Sequence, residues 1–185
     1  MQAIAPDTSR YHGRRVTVDE YFELPEDGHR YDMIEGVLYL ASSAEFGSTR
    51  ASNNGFGDLF MYLKNNPVGF ACSEQDIDLG DREDVLRPDV CFFTGKPFEG
   101  RAKRIVRIPS LVAESLSPST RKRDLGIKAE RYLQAGVLEY WLMDYRARRL
   151  ELWSNVDGVW SRSRADSLES KVIPGFRVTT ESLFD

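Results

Sequence analysis

Apolar positions along this chain fall into short strand-like segments, with helical spacing in a few longer ones. "TVDEYFEL" opens with Thr17 and carries Glu20 three residues on, the spacing of a capping box, which predicts a short helix through Leu24 before "PEDGHR" breaks it. "YDMIEGVLYLAS" predicts two short strands folded back at Glu35-Gly36. From about Ser48 to Asn65, Phe56, Leu59, Phe60 and Leu63 recur at helical spacing and predict the first sizeable helix. "VGFACSEQDIDL" and "RPDVCFF" read as strands on either side of the charged turn "GDREDV", and "RIVRIPSLVAESL" as a long or broken strand interrupted at Pro109. "SPSTRKRDLGIKAERYLQAG" predicts a helix capped by Ser119 or Thr120, with Gly136 past its end. "EYWLMDY" and "RRLELWS" form a hairpin turning at Arg146-Ala147, "GVWSRS" continues the meander, and the tail after Asp166 reads as a lone edge element around Val172 to Val178. Strands and helices in this order describe a mixed α/β sheet with helices on its faces.

With 185 residues, 41% hydrophobic, the chain matches one globular domain, and no repeat, low-complexity tract or linker divides it. No apolar run has the length of a signal peptide or of a membrane helix, so a soluble, cytoplasmic protein is expected. Cys72 and Cys91 fall in apolar strand segments and read as buried thiols rather than a disulfide. With those two cysteines and only His12 and His29, a zinc site is hard to build, and any metal should be a hard one on oxygen ligands. Net charge is -4, yet residues 101 to 150 hold twelve Lys and Arg against five Asp and Glu, a local +7 that leaves -11 for the remainder. The basic clusters are Arg101, Lys103, Arg104 and Arg107; Arg121, Lys122 and Arg123; and Arg146, Arg148 and Arg149. Each alone reads as solvation of turns and helix ends; together they can form a phosphate-facing surface.

Those clusters surround Glu114, an acid inside the apolar run "SLVAESL". A buried carboxylate costs several kcal/mol unless a partner or metal compensates it. Asp89, at the start of "RPDVCFF", is the candidate neighbour: two carboxylates side by side on adjacent strands repel unless a cation such as Mg2+ sits between them. The competing reading has Asp89 capping the strand start near Arg87 while Glu114 pairs with a lysine in a plain salt bridge. In the next helix Asp124, Lys128 and Tyr132 are spaced i, i+4, i+8 on one face, with Leu125, Ala129 and Leu133 beside them toward the sheet. Lys128 then stands at the border between buried and wet, able to hold a water or neutralise a phosphoryl oxygen. Asp124 and Lys128 can equally be an ordinary helix pair, and Tyr132 a packing residue with a satisfied hydroxyl.

"RPDVCFF", "LVAESLSPST" and the Asp and Lys of "RDLGIKAERYLQAGVLEYWLMDY", in that order, resemble the Uma2 family of endonucleases, formerly DUF820, in the PD-(D/E)xK superfamily. The likeness runs from "TVDEYFELPEDGHRYDMIEG" to "IPGFRVTTESLF". It implies a restriction-endonuclease-like core with flanking helices, an extra N-terminal hairpin and a C-terminal β-meander. It also implies metal-dependent cleavage of phosphodiester bonds in DNA. Asp89 then matches the aspartate of the "PD" element and Glu114 the acid of "(D/E)xK"; two positions on stands Leu116, and the missing lysine corresponds to Lys128 on the following helix. Asp89, Glu114 and the carbonyl of Ser115 would hold Mg2+ or Mn2+, with Asp32, Asp124 and Tyr132 in support. Arg87, Arg121, Lys122 and Arg123 would grip the DNA backbone. The family's "YELIDG" stands here as "YDMIEG", so Asp32 replaces a glutamate and reaches one methylene less far. "SSAEFGSTRASNN" lacks the histidine the family often places there. A module of the same fold that binds DNA or protein without cutting is the alternative. A carboxylate-pair glycosidase is a third, with Trp141, Trp153 and Trp160 as sugar platforms. Tyr140, Trp141, Leu142, Leu150, Leu152 and Trp153 could cover a sheet edge by pairing two chains into a homodimer.

Overall fold

A computed structural model describes residues 10–41, 45–80, 82–98 and 104–185. The first helix, α1 (Val18–Glu23), starts at the expected capping box: Thr17 Oγ1 accepts from Glu20 N–H at 3.2 Å, and the Glu20 carboxylate accepts from Thr17 N–H at 2.7 Å. β1 (Tyr31–Ile34) and β2 (Val37–Leu40) form the predicted hairpin about Glu35 and Gly36, both at positive φ. α2 (Phe46–Asn65) begins two residues before the expected Ser48.

The segment read as one strand, "VGFACSEQDIDL", is two. β3 (Gly69–Ser73) ends where Glu74 takes φ 50, and β4 (Ile77–Asp78) joins a different sheet. That second sheet has the order β2-β1-β5-β4, with β5 being Val85–Leu86. The main sheet is six-stranded, in the order β10-β9-β8-β7-β6-β3. Its other strands are β6 (Val90–Thr94), β7 (Leu111–Ser115), β8 (Glu139–Asp144), β9 (Arg149–Val156) and β10 (Val159–Arg164). β7 and β8 run parallel, joined by the crossover helix, and the other neighbours run antiparallel. The strand expected over "RIVRIPSLVAESL" is confined to β7; Ile105 makes one isolated bridge to Ile77, and Pro109 separates the two. Gly69 sits where a Cβ would lie 2.2 Å from Phe93 O, so β3 approaches β6 as only glycine allows.

The crossover helix departs from its prediction at two points. Thr120 stands at the N-cap of the first helical piece as expected, but its side chain makes no cap hydrogen bond; instead Ser117 Oγ accepts from Thr120 N–H at 3.2 Å, and the Ser117 carbonyl accepts from Arg121 N–H at 2.8 Å. The helix is also not continuous. α3 (Arg121–Arg123) passes into a π turn (Asp124–Lys128), where Gly126 leaves helical φ/ψ, and then into α4 (Ala129–Ala135). Gly136 closes α4 at φ 90, the left-handed cap its position predicts. The tail is not a lone edge element but a hairpin of β11 (Ser167–Glu169) and β12 (Arg177–Thr179), followed by α5 (Thr180–Phe184).

The main sheet is apolar on both faces. Leu111, Ala113, Phe92, Trp141 and Met143 face α2, α5 and the final hairpin, while Val112, Leu116, Phe93, Tyr140 and Leu142 face α4 and the smaller sheet. The six residues expected to pair two chains, Tyr140, Trp141, Leu142, Leu150, Leu152 and Trp153, are all buried within this chain, since β8 and β9 lie inside the sheet. They cannot also cover an edge. The same burial removes Trp141 and Trp153 as sugar platforms.

Candidate active site

β6 and β7 are in register with Val90 opposite Ala113, so one step outward sets Asp89 beside Glu114 at the end of the pair. Asp89 Oδ2 accepts from Ser115 N–H at 2.7 Å, and Asp89 N–H points to Glu114 Oε2 at 3.4 Å. Strand alternation turns Glu114 toward α4 and its flanks, Ala113 and Ser115, toward α2. The helix then supplies the partner: Lys128 Nζ lies 2.5 Å from Glu114 Oε1, 3.5 Å from Asp124 Oδ1 and 4.0 Å from Asp32 Oδ2. Tyr132 donates its hydroxyl proton to Glu114 Oε1 at 3.1 Å, and Tyr140 donates to the Asp124 carbonyl at 3.0 Å. β1 brings Asp32 in from the smaller sheet, where its Oδ1 accepts from Arg87 N–H at 3.2 Å. The candidates Asp32, Asp89, Glu114, Ser115, Asp124 and Lys128 thus line one cleft of ≈ 350 Å³, and Tyr132 stands behind it.

Lys128 was expected at the wet border, but only 5% of its side chain is exposed. The π turn tucks its stem inward with the buried face formed by Asp124, Ala129 and Tyr132, while Leu125 and Leu133 are only partly covered. Burial and charge set the protonation of the group. Burial raises Asp89 to about 6, against the pull of the Ser115 N–H bond and Lys128. Burial also pushes Glu114 well above the carboxylate range; Lys128 opposes this, while Asp89 and Asp124 add to it. Asp124 is raised for the same first reason, burial, with Lys128 pulling back. Burial disfavours the Lys128 ammonium, but Asp32, Glu114 and Asp124 outweigh it and hold its proton well above the ordinary lysine range. Burial, then Glu114, keeps Tyr132 protonated and a hydrogen-bond donor.

The candidate phosphate contacts are less uniform. Arg87 forks onto Asp76 with bonds of 2.7 and 2.6 Å, Arg121 reaches Asp144 at 2.6 Å, and Arg123 donates to Leu40 O at 3.1 Å with Asp32 at 3.5 Å. Lys122 is exposed. Of the wider basic clusters, Arg104 is tied to Asp78 and Asp19 and Arg146 to Glu45, while Arg101 and Lys103 lie outside the described residues.

Sequence reasoning missed the other walls of the cleft. Ser48, Thr49 and Ser52 of α2 line it, with Ser117 and Thr120 on the far side and an Arg30–Glu74 ion pair at the mouth. Short hydroxyl residues at a helix start read as exposed surface, and nothing in their spacing aims them at a site 60 residues away. Ser115 Oγ is buried in the described structure without a hydrogen-bond partner.

Hard oxygen donors are what the site offers a metal: the two carboxylates and the Ser115 backbone, with one Glu114 oxygen already held by Lys128 and Tyr132. Among the described residues no three His, Cys, Asp or Glu side chains cluster as a metal cage. Carboxylate and carbonyl oxygens are the donors used by Mg2+, which takes one or two carboxylates and keeps several waters.

Residues 18–181 match the Uma2 family model, whose description reads "Putative restriction endonuclease". Among solved structures, the chain is similar to the "putative nuclease belonging to DUF820 from Anabaena variabilis ATCC 29413", with TM-score 0.77 and 17% identity over 91% of this chain and 97% of that one. No curated protein matches the chain. No helix among the described residues is long and apolar enough to cross a membrane.

Proposed function

The chain belongs to the Uma2 family, and on that premise we propose that it is a metal-dependent DNA endonuclease hydrolysing phosphodiester bonds at the Asp89–Glu114 pair. The observation that carries this reading is an imbalance of charge in the cleft. Arg87 cancels Asp76 and Arg30 cancels Glu74, which leaves Asp32, Asp89, Glu114 and Asp124 facing Lys128 and Arg123. With every group ionised, four carboxylates against two cations would leave a formal charge of -2, which one divalent ion would balance; without that ion, burial keeps the Glu114 proton on instead.

Asp89, Glu114 and the Ser115 carbonyl are the donors for that ion. Bound there, Mg2+ or Mn2+ lowers the pKa of a water and polarises the scissile phosphate. The chain's own groups do the rest. Lys128, whose proton is held by three carboxylates, acts as a fixed cation and not as a base; it orients the attacking water or offsets charge growing on a phosphoryl oxygen. Asp124 and Asp32 hold the ammonium in place, and Tyr132 orients Glu114 Oε1. Lys122, with whatever of Arg121 and Arg123 their internal pairs leave free, grips the backbone without reading sequence.

Asp89→Asn keeps the shape of the site and removes one donor charge. Supercoiled plasmid nicked by the parent in Mn2+ should stay intact with the variant; equal cutting by both would overturn the assignment. The second reading, a domain that binds DNA or protein without cutting, is favoured by the direct Lys128–Glu114 contact and by the internal pairing of Arg87 and Arg121. Calorimetry separates the two. Mn2+ uptake lost in Glu114→Gln supports the nuclease, whereas no uptake with retained salt-sensitive DNA affinity supports the binder.

A further inference from the structure

The chain's two cysteines, Cys72 and Cys91, stand directly opposite each other on β3 and β6. Glu74 N–H donates to Asp89 O at 3.3 Å and Gly95 N–H to Val68 O at 3.1 Å, so the alternation along this ladder makes the cysteines a hydrogen-bonded pair. In such pairs the Cα atoms are ~5.5 Å apart, inside the ~4.4–6.8 Å that a disulfide spans. Opposed residues share a face, and here both side chains join the cluster under α4, with Cys91 Sγ 3.5 Å from the Cys72 carbonyl. They differ in access. β3 is an edge strand and Cys72 is half-buried, whereas Cys91 is fully covered on an inner strand.

We propose that Cys72 and Cys91 form a redox-active dithiol that takes low-molecular-weight disulfides and closes a cross-strand bridge. The Cys72 thiolate attacks one sulfur of the small disulfide, forming a mixed disulfide and expelling one thiolate. The Cys91 sulfur then attacks Cys72, releasing the second small thiol and leaving the protein bridge. Two protein thiols are oxidised, one disulfide is reduced to two thiols, and the two protons leave with the products. Access assigns the order, because only Cys72 can meet the reagent. The neighbouring Cys91 side chain reinforces it, lowering Cys72 to about 7 against the effect of burial. The bridge would lie two residues from Asp89 along β6, opposite Val112, which is two residues from Glu114 along β7.

The test uses the full chain, native and metal-free, incubated with oxidised glutathione at neutral pH, then quenched with N-ethylmaleimide and weighed intact. The parent should lose the mass of two hydrogens, take up no maleimide and recover both thiols on reduction. Cys91→Ser should stop at one glutathione on Cys72, and Cys72→Ser should remain unmodified by glutathione. Two freely alkylated thiols in the parent, a glutathione adduct that never resolves, or an adduct on Cys91 in Cys72→Ser would each overturn the proposal.

Discussion

Neutralising Asp89 should remove a loss of stability that the parent suffers as pH rises through the acid range. The carboxyl is held at about 6 in the folded chain against an ordinary value of 3.8. A group whose folded pKa is raised binds more protons folded than unfolded, so its contribution is fully present below the unfolded value and is lost as pH rises through the folded one. The window is therefore pH 3.8 to about 6, and a gap of roughly two pH units at about 1.4 kcal/mol each amounts to about 3 kcal/mol. Asp89→Asn cannot titrate. Urea unfolding of parent and variant, without metal, should show the parent losing about 2 kcal/mol of that relative to the variant between pH 4 and 6.5. Mn2+ at saturation should remove that loss in the parent alone, because the cation stabilises the ionised form. A difference that stays flat, or that grows in the parent's favour as pH rises, would refute the burial argument for Asp89.

Three further outcomes follow from the same structure. Lys128→Met leaves Glu114, Asp124 and Asp32 without their shared cation and should cost about 3–5 kcal/mol in urea unfolding, with part of the loss recovered in combination with Glu114→Gln. A cost under about 1 kcal/mol would mean that the ammonium is not what holds the cluster. On DNA, Lys122→Ala should weaken binding across all sequences and lower the salt slope by about 1 in fluorescence anisotropy. Arg87→Ala, whose guanidinium is already forked onto Asp76, should leave that slope near the parent's and lower thermal stability instead.

The elements with a strong local signal were legible in the sequence. The Thr17 capping box, the Glu35-Gly36 hairpin and the β8–β9–β10 meander needed only neighbours within a few residues, and the structure holds all three. So was the meeting of Asp89 with Glu114, because an acid in an apolar strand demands compensation and Pro88 set the other acid at a strand start. What was not legible depends on long-range packing. "VGFACSEQDIDL" reads as one strand, and only the presence of the smaller sheet at β1 and β5 shows that its second half belongs there. The depth of Lys128 was hidden for a related reason: the π turn at Gly126 shifts the buried face of the helix, and regular 3.6-residue spacing cannot foresee it. The arginines misled in the opposite direction. Their positive charge is visible in sequence, but Asp76 and Asp144, which engage Arg87 and Arg121, stand 11 and 23 residues away in other segments.

The central claim is that Asp89 and Glu114 share a divalent cation, and a crystal soaked in Mn2+ tests it most directly. Anomalous density is predicted between the two carboxylates, within bonding reach of the Ser115 carbonyl, with Lys128 still on Glu114. A saturating soak that leaves that position without density, or density that persists unchanged in Glu114→Gln, would contradict it.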